Sequence, residues 1–165
     1  MSVTYRQAEE EDFPAVAAMH YPVWRESNSG VMTPYVLDQF DGPEAWPDAS
    51  YRPTLSSPRW NMWIADSDGE VVGMTMFGPT LDDPHLVELH SLYVATKNRG
   101  IGSSLLQKAL DSQPSDDVVL WVAEDNQRAR DYYSRRGFQP DGRSWMWVPM
   151  TGVQVPQLGY RLNRQ

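Results

Sequence analysis

Residues 88–106 read ELHSLYVATKNRGIGSSLL, and the fold is legible from this stretch outward. An apolar strand pattern runs to Val94. A short basic loop with Lys97 and Arg99 follows. Gly100 and Gly102 then open a segment whose Ile101, Leu105, Leu106 and Ala109 recur on one helical face. The first N–H groups of a helix have no internal partner, and the helix dipole favours negative charge there. Glycines let a phosphate come close to the backbone, while Lys97 and Arg99 place mobile positive charge beside it. Strand, basic glycine loop and helix together predict a pyrophosphate cradle.

Two known phosphate loops can be tested on these residues. A P-loop closes on Gly-Lys-Ser/Thr, whereas Gly102 is followed by Ser103. A dinucleotide fingerprint needs a third glycine, and Leu105 stands at that position with Ser104 before it. Glu124 does lie at the end of the next strand, where a ribose-binding acid belongs. A nucleotide-binding protein therefore stays open as an alternative, weakened because the loop follows the fourth predicted strand rather than the first.

Outward from the loop, residues 3–7 alternate as a short strand, and Glu9 to Asp12 crowd the start of a helix with carboxylates. Phe13, Val16, Ala17 and His20 recur at helical spacing, and Pro22 is expected to kink or interrupt the helix. Thr33-Pro34 has the form of an N-cap with proline at the first helical position, opening a helix over 35–40. Residues 41–59, rich in Pro, Asp and Ser, are expected to form a long loop with one irregular turn, of the kind that covers a site. Residues 60–65 and 70–77 are apolar runs joined by Asp66-Ser-Asp-Gly69, which is hairpin chemistry. Strands follow over 86–94 and 118–122, with helices over 100–110 and 125–136, the second stopping at Gly137. Residues 145–148 and 158–162 complete the chain as a hairpin. The expected fold class is α/β of the mixed kind: a mostly antiparallel sheet of six to seven strands with helices on both faces.

With 165 residues, one domain spanning 1–165 is expected. There are no cysteines, which removes disulfides, thiolate metal sites and a cysteine nucleophile together. The net charge of -8 repels a phosphate backbone, so no nucleic-acid partner is expected, whereas amines are cations at neutral pH. No basic start with an apolar stretch opens the chain, and no run approaches the ~18 apolar residues of a membrane span. A cytoplasmic protein without a membrane partner is the expectation. His20, His85 and His90 lack metal-ligand spacing, so no metal is expected.

Lys97-Asn98-Arg99-Gly100-Ile101-Gly102 resembles the coenzyme loop of the GNAT (GCN5-related N-acetyltransferase) superfamily, with lysine where that family has Gln or Arg. Lysine keeps the charge but not the fork geometry. Asn126, Ala129, Tyr133 and Gly137-Phe138 match the family's following block, in order and at natural spacing. The resemblance covers about a third of the chain firmly. It implies an acetyl-coenzyme A-dependent N-acetyltransferase acting on a primary amine of a small molecule or peptide by direct attack. It implies that backbone amides from Arg99 to Ser103 grip the coenzyme pyrophosphate. It implies too that Leu92, Tyr93 and Val94 pair with the pantetheine arm, with Asn126, Ala129 and Tyr133 beside it. A binding module that keeps the coenzyme site without the chemistry is the alternative.

Acyl transfer needs a neutral amine, donors for the developing oxyanion and a proton for the departing thiolate. Tyr133, with a reference pKa of about 10, is the candidate acid. Glu88 is the candidate base and His90 the runner-up. Strict strand alternation puts Glu88, His90, Leu92 and Val94 on one face. Of seven tryptophans, Trp63, Trp121 and Trp147 lie in apolar runs and are expected in the core. Trp24, Trp46 and Trp60 lie at or near loops, where they can wall an acceptor pocket through cation–π contact or simply pack. Trp24 and His90 are the candidate acceptor-binding residues, by cation–π contact in the case of Trp24. The aromatic C-terminal hairpin is the candidate surface for a homodimer.

Overall fold

The computed structural model describes residues 2–97 and 99–164. In chain order it comprises β1 (Val3–Gln7), α1 (Phe13–Ser27), α2 (Pro34–Leu37), α3 (Arg52–Leu55), β2 (Asn61–Ser67), β3 (Glu70–Pro79) and β4 (Leu86–Val94). α4 (Ile101–Ser112), β5 (Asp117–Ala123), α5 (Gln127–Arg135), β6 (Gln139–Met150) and β7 (Val153–Leu162) follow. The sheet has seven strands in the order β1-β2-β3-β4-β5-β7-β6. Every neighbouring pair is antiparallel except β4 and β5.

Local chemistry explains most boundaries. Asp66 Oδ1 accepts from the Gly69 amide at 2.7 Å, closing the β2–β3 turn, in which Asp68 and Gly69 both take positive φ. Thr33 Oγ1 accepts from the Val36 amide at 3.3 Å, so the expected cap is present, although its helix ends at Leu37 rather than residue 40. Two expectations are corrected. α1 runs unbroken through Pro22 because Phe13, Val16, Ala17, Met19 and His20 are buried, and that packed face outweighs the lost backbone bond. The segment expected as a loop is largely helical: a 3-10 turn at Pro43–Ala45 and a π turn at Pro47–Tyr51 lead into α3. Its anchor is Tyr51, fully buried and in edge contact with Phe13 at 5.6 Å.

Helices cover both faces. On one, α1 and Tyr51 pack on Met62, Ile64, Met74 and Met76. On the other, α4 seats Ile101 and Leu105 on Ala65 and Val72, and Leu106 and Ala109 on Val87, Leu89 and Val118. Two irregularities shape the centre of the sheet. The register steps from Met76↔Ser91 to Phe77↔Leu89, so His90 is an extra residue in β4. Beyond Glu88↔Val119, β4 and β5 no longer pair.

Candidate active site

The parting of β4 from β5 opens a cleft of about 270 Å³. Leu89 to Tyr93 form one wall and Leu120 to Ala123 the other; Asn126, Ala129 and Tyr133 of α5 close one side, and Trp24, Trp145 and Trp147 the opposite one. Helix α4 starts just past the end of β4.

The α4 start has the expected form. Gly100 is the N-cap in the left-handed region at φ 73°, and its carbonyl accepts the Ser104 amide at 3.0 Å. The amides of Ile101, Gly102 and Ser103 are therefore helix-initial donors. A Cβ at Gly100 would meet nothing within 4 Å, so this position needs its conformation and not its space. At Gly102 space decides, because a Cβ there would lie 2.7 Å from Tyr132 Oη. Lys97 is exposed, and Asn98 lies outside the described residues.

Two side chains that the sequence reading passed over meet at this helix start. Arg136 lies over the Tyr132 ring at 3.5 Å, donates to the Tyr132 carbonyl at 3.0 Å and reaches Ser103 Oγ at 3.4 Å. The Tyr132 hydroxyl is buried and has no hydrogen-bond partner among the described residues. An unpartnered hydroxyl, a guanidinium and three helix-initial amides make a surface complementary to phosphate. Arg136 stands four residues after Tyr132, directly before the terminating Gly137, a spacing that could have flagged it.

Tyr133 faces the cleft, with its ring edge-on to Phe138 at 5.5 Å and to Tyr132 at 5.2 Å. Burial, with Tyr93 nearby, holds its hydroxyl well above the ordinary tyrosine range, so it stays protonated. Asn126 caps α5 by accepting the Ala129 amide at 3.1 Å; its place in the cleft wall is thus also a folding requirement. Tyr93 lines the facing wall, and burial pushes its hydroxyl up to about 12.

The bulge at His90 corrects the expected strand face. Leu92 and Val94 pack with Ile101 and Leu105 on the α4 side, and Leu89 lies on that side too, in the cluster of Leu106 and Ala109. Tyr93 turns to the α1 side, against His20 at 4.5 Å. Glu88 and His90 therefore do not share a face with Leu92 and Val94, because one inserted residue reverses the alternation. His90 lines the cleft, with Nδ1 2.7 Å from Ser91 Oγ and its ring edge-on to Trp60 at 6.1 Å. The ring is exposed at the open cleft, and the partial desolvation there shifts its proton affinity downward. Glu88 stands beside the cleft, against a small pocket with Thr54, Trp60 and Thr80. Burial raises its proton affinity, and the charge of Arg143 partly opposes that.

His20, unassigned from sequence, braces the Tyr93 wall. Its Nδ1 is 2.9 Å from the Tyr51 hydroxyl, and its ring meets Trp46 at 4.6 Å. Burial, with His90 nearby, lowers its pKa to about 3. Trp121 departs from its expected place in the core: it is 37% exposed, lines the cleft and carries the Arg143 guanidinium over its ring at 4.5 Å. Trp147 also lines the cleft while packing near Met32, Leu37 and Val155. Trp63 is packed in the core as expected.

Among the described residues, no three His, Asp or Glu side chains converge as a metal site, and no helix is long and apolar enough to cross a membrane. Comparison with known proteins decides what the cleft belongs to. Residues 31–138 match the Acetyltransferase (GNAT) family. The chain belongs to the GNAT acetyltransferase family. The acetyltransferase is 48% identical over 165 residues to "Probable N-acetyltransferase Rv2775" of Mycobacterium tuberculosis, covering 99% of this chain and 95% of that protein. It is 32% identical over 111 residues to N-acetyltransferase 8F1 of Rattus norvegicus, covering 61% of this chain and 50% of the rat protein. Its fold matches the PaiA N-acetyltransferase of Thermoplasma acidophilum, solved in complex with coenzyme A, with TM-score 0.71 and 17% identity over 99% of each chain. The acetyltransferase fold and acetyl-CoA-dependent N-acetyl transfer follow from that membership, as the loop and the following block implied.

Proposed function

We propose that the acetyltransferase moves an acetyl group from acetyl-CoA to a primary amine of a small molecule or peptide, by direct attack within the β4–β5 cleft. The observation that carries this reading is Tyr133 in the cleft between the parted strands, with the α4 start just past the end of β4. The amides of Ile101 to Ser103, joined by Arg99, Lys97, Arg136 and the Tyr132 hydroxyl, hold the coenzyme's phosphates, with Asn98, between Lys97 and Arg99 in the sequence, counted in the same motif. Leu92, Tyr93 and Val94 offer the pantetheine arm the strand edge that β5 leaves, with Asn126 and Ala129 across from it. The thioester then lies near Tyr133, whose firmly held proton passes to the departing sulfur. The amine arrives from the side of Trp24 and His90. It gives up its proton to Glu88 through water, or to the His90 ring.

The whole of residues 1–165 acts as one domain in this reading, in the cytoplasm and without nucleic acid, metal or membrane. A homodimer would form through the C-terminal hairpin, by the exposed Met146 and Val148 of β6.

Acetyl-CoA at a hundred times its dissociation constant should stabilise the fold by about 2.7 kcal/mol, raising Tm. Replacing Tyr133 by Phe should lower kcat about 100-fold or more while leaving that Tm rise intact. An unchanged rate removes Tyr133 from the chemistry. A Tm rise with no thiol released by any amine would favour the inert binding module instead.

A further inference from the structure

The half of the cleft away from α4 and α5 has an unusual lining. Trp24, Tyr93, Trp121, Trp145 and Trp147 supply it, together with the uncharged polar groups of Ser27, Asn28 and Gln157. Among the described residues, no Lys, Arg, Asp or Glu lines the cleft. The rings are braced and not loose. Trp24 meets Phe40 at 5.0 Å and Trp46 at 5.6 Å, Phe40 meets Trp147 at 6.0 Å, and Trp121 stands edge-on to Trp145 at 6.3 Å. Trp121 and Trp145, 37% and 48% exposed, keep ring surface open to a ligand.

One charged group stands against this wall. Arg143 is over the Trp121 ring, its Nε bonded to Asp141 Oδ2 at 2.6 Å. Its Nη2 is buried against Gly159, where an added Cβ would come within 2.7 Å. Nη2 has no hydrogen-bond partner among the described residues and the side chain is 38% exposed, yet Arg143 is not among the residues that line the cleft. Asp141 is paired with Arg143, which leaves Glu88, beside the cleft, as the carboxylate placed to meet an ammonium head. An uncharged lining does not suit further cations, since each charge taken from water without a partner is strongly disfavoured. The volume of about 270 Å³ must also admit the thioester, which limits the acceptor to a small body.

Resting on the acetyl-transfer reading above, we propose that the acceptor is an arylalkylamine: a primary amine on a flat, uncharged aromatic body. The ring lies among Trp24, Trp121, Trp145 and Trp147, and the amine points to His90 and Glu88. The ammonium first loses one proton to water. The N–C bond to the acetyl carbon forms as the C–S bond breaks. The nitrogen sheds a second proton, and the sulfur leaves as a thiol, with a net release of one proton.

The test is thiol release from acetyl-CoA with 2-phenylethylamine, tryptamine, n-butylamine, spermidine, phenylalanine and tryptophan. The two arylalkylamines should exceed each of the others at least tenfold in kcat/KM. Spermidine or an amino acid matching them overturns the inference, as does n-butylamine. Trp145→Ala, at an exposed position, should raise KM for 2-phenylethylamine at least tenfold and leave KM for acetyl-CoA unchanged, with Trp145→Phe restoring most of the loss. An unmoved amine KM overturns it too. If acetyl-CoA fails to raise Tm and no amine releases thiol, the acetyl-transfer reading itself fails. If acetyl-CoA raises Tm and only non-aromatic amines react, the inference alone is lost.

Discussion

Single atoms set the tolerances of the coenzyme end. Gly102 is held to hydrogen by the Tyr132 hydroxyl, and Tyr132 is held in turn by the Arg136 guanidinium. Gly102→Ala should destabilise by about 1–3 kcal/mol and weaken coenzyme binding. Adding Tyr132→Phe, which removes the obstructing oxygen, should recover most of the stability, a coupling that a double-mutant cycle in urea reads directly. Glycine was legible as a loop residue at both positions, but nothing in the order of residues separates Gly100, which needs its angle, from Gly102, which needs its room. That distinction depends on a tyrosine thirty residues downstream. His20 sets a tolerance of another kind. Its folded pKa of about 3 lies below the ordinary 6.5, so the unfolded chain takes up a proton that the folded one refuses. The stability tied to neutral His20 is complete above pH 6.5 and falls as pH drops toward 3, by up to about 1.4 kcal/mol per pH unit. His20→Gln, which can still bond Tyr51, should flatten that part of the stability profile measured by urea titration at successive pH values.

Among the elements, β4 does most to define the cleft. Its bulge at His90 is supported by buried Thr75, whose Oγ1 donates to the Ser91 carbonyl at 2.8 Å. Thr75→Val keeps the shape and removes the side-chain donor to that carbonyl. The expected loss is about 1–2 kcal/mol in urea unfolding, with KM for acetyl-CoA raised because the wall from His90 to Tyr93 loosens. Strand positions, both hairpins and the helices after Gly100 and Asn126 could be read from period and punctuation. The bulge could not, because ELHSLYV alternates acceptably in either phase and the phase is chosen by β3 across the ladder. Trp121 was misread for a related reason: it sits in the run VVLWVA, and only the loss of β4 as a neighbour exposes it. The helical turns from Pro43 to Leu55 were hidden by their proline content and are fixed by Tyr51 entering the α1 core.

Across the whole molecule, the seven strands act as two groups joined by the short parallel contact of three residue pairs between β4 and β5. The closed end of that join is secured at Asp117, which accepts from the Arg164 amide at 2.8 Å and from Arg161 Nε at 2.9 Å. Arg164 Nη1 continues to the Leu110 carbonyl at 2.8 Å, tying α4 to the chain's last residues. Asp117→Asn should cost about 2 kcal/mol, seen as a lower urea midpoint. The Asp117 carboxyl is held below the ordinary carboxylate range by these donors, so its contribution is present near neutrality and is lost as acid protonates it. The family was legible because its motifs rest on residues adjacent in sequence. The aromatic end of the cleft was not, because its rings come from α1, β5 and β6 and meet only in the folded chain. One price of that arrangement falls on β6, which borders the sheet while showing Trp145, Met146 and Val148 to water. A bare, greasy border invites strand-to-strand sticking between molecules. Lysines would deter it but would also crowd the mouth of the cleft. The strand carries Pro140 and Pro149 instead, with breaks in register beside each, so its outer rim lacks the continuous row of donors on which a foreign strand could zip.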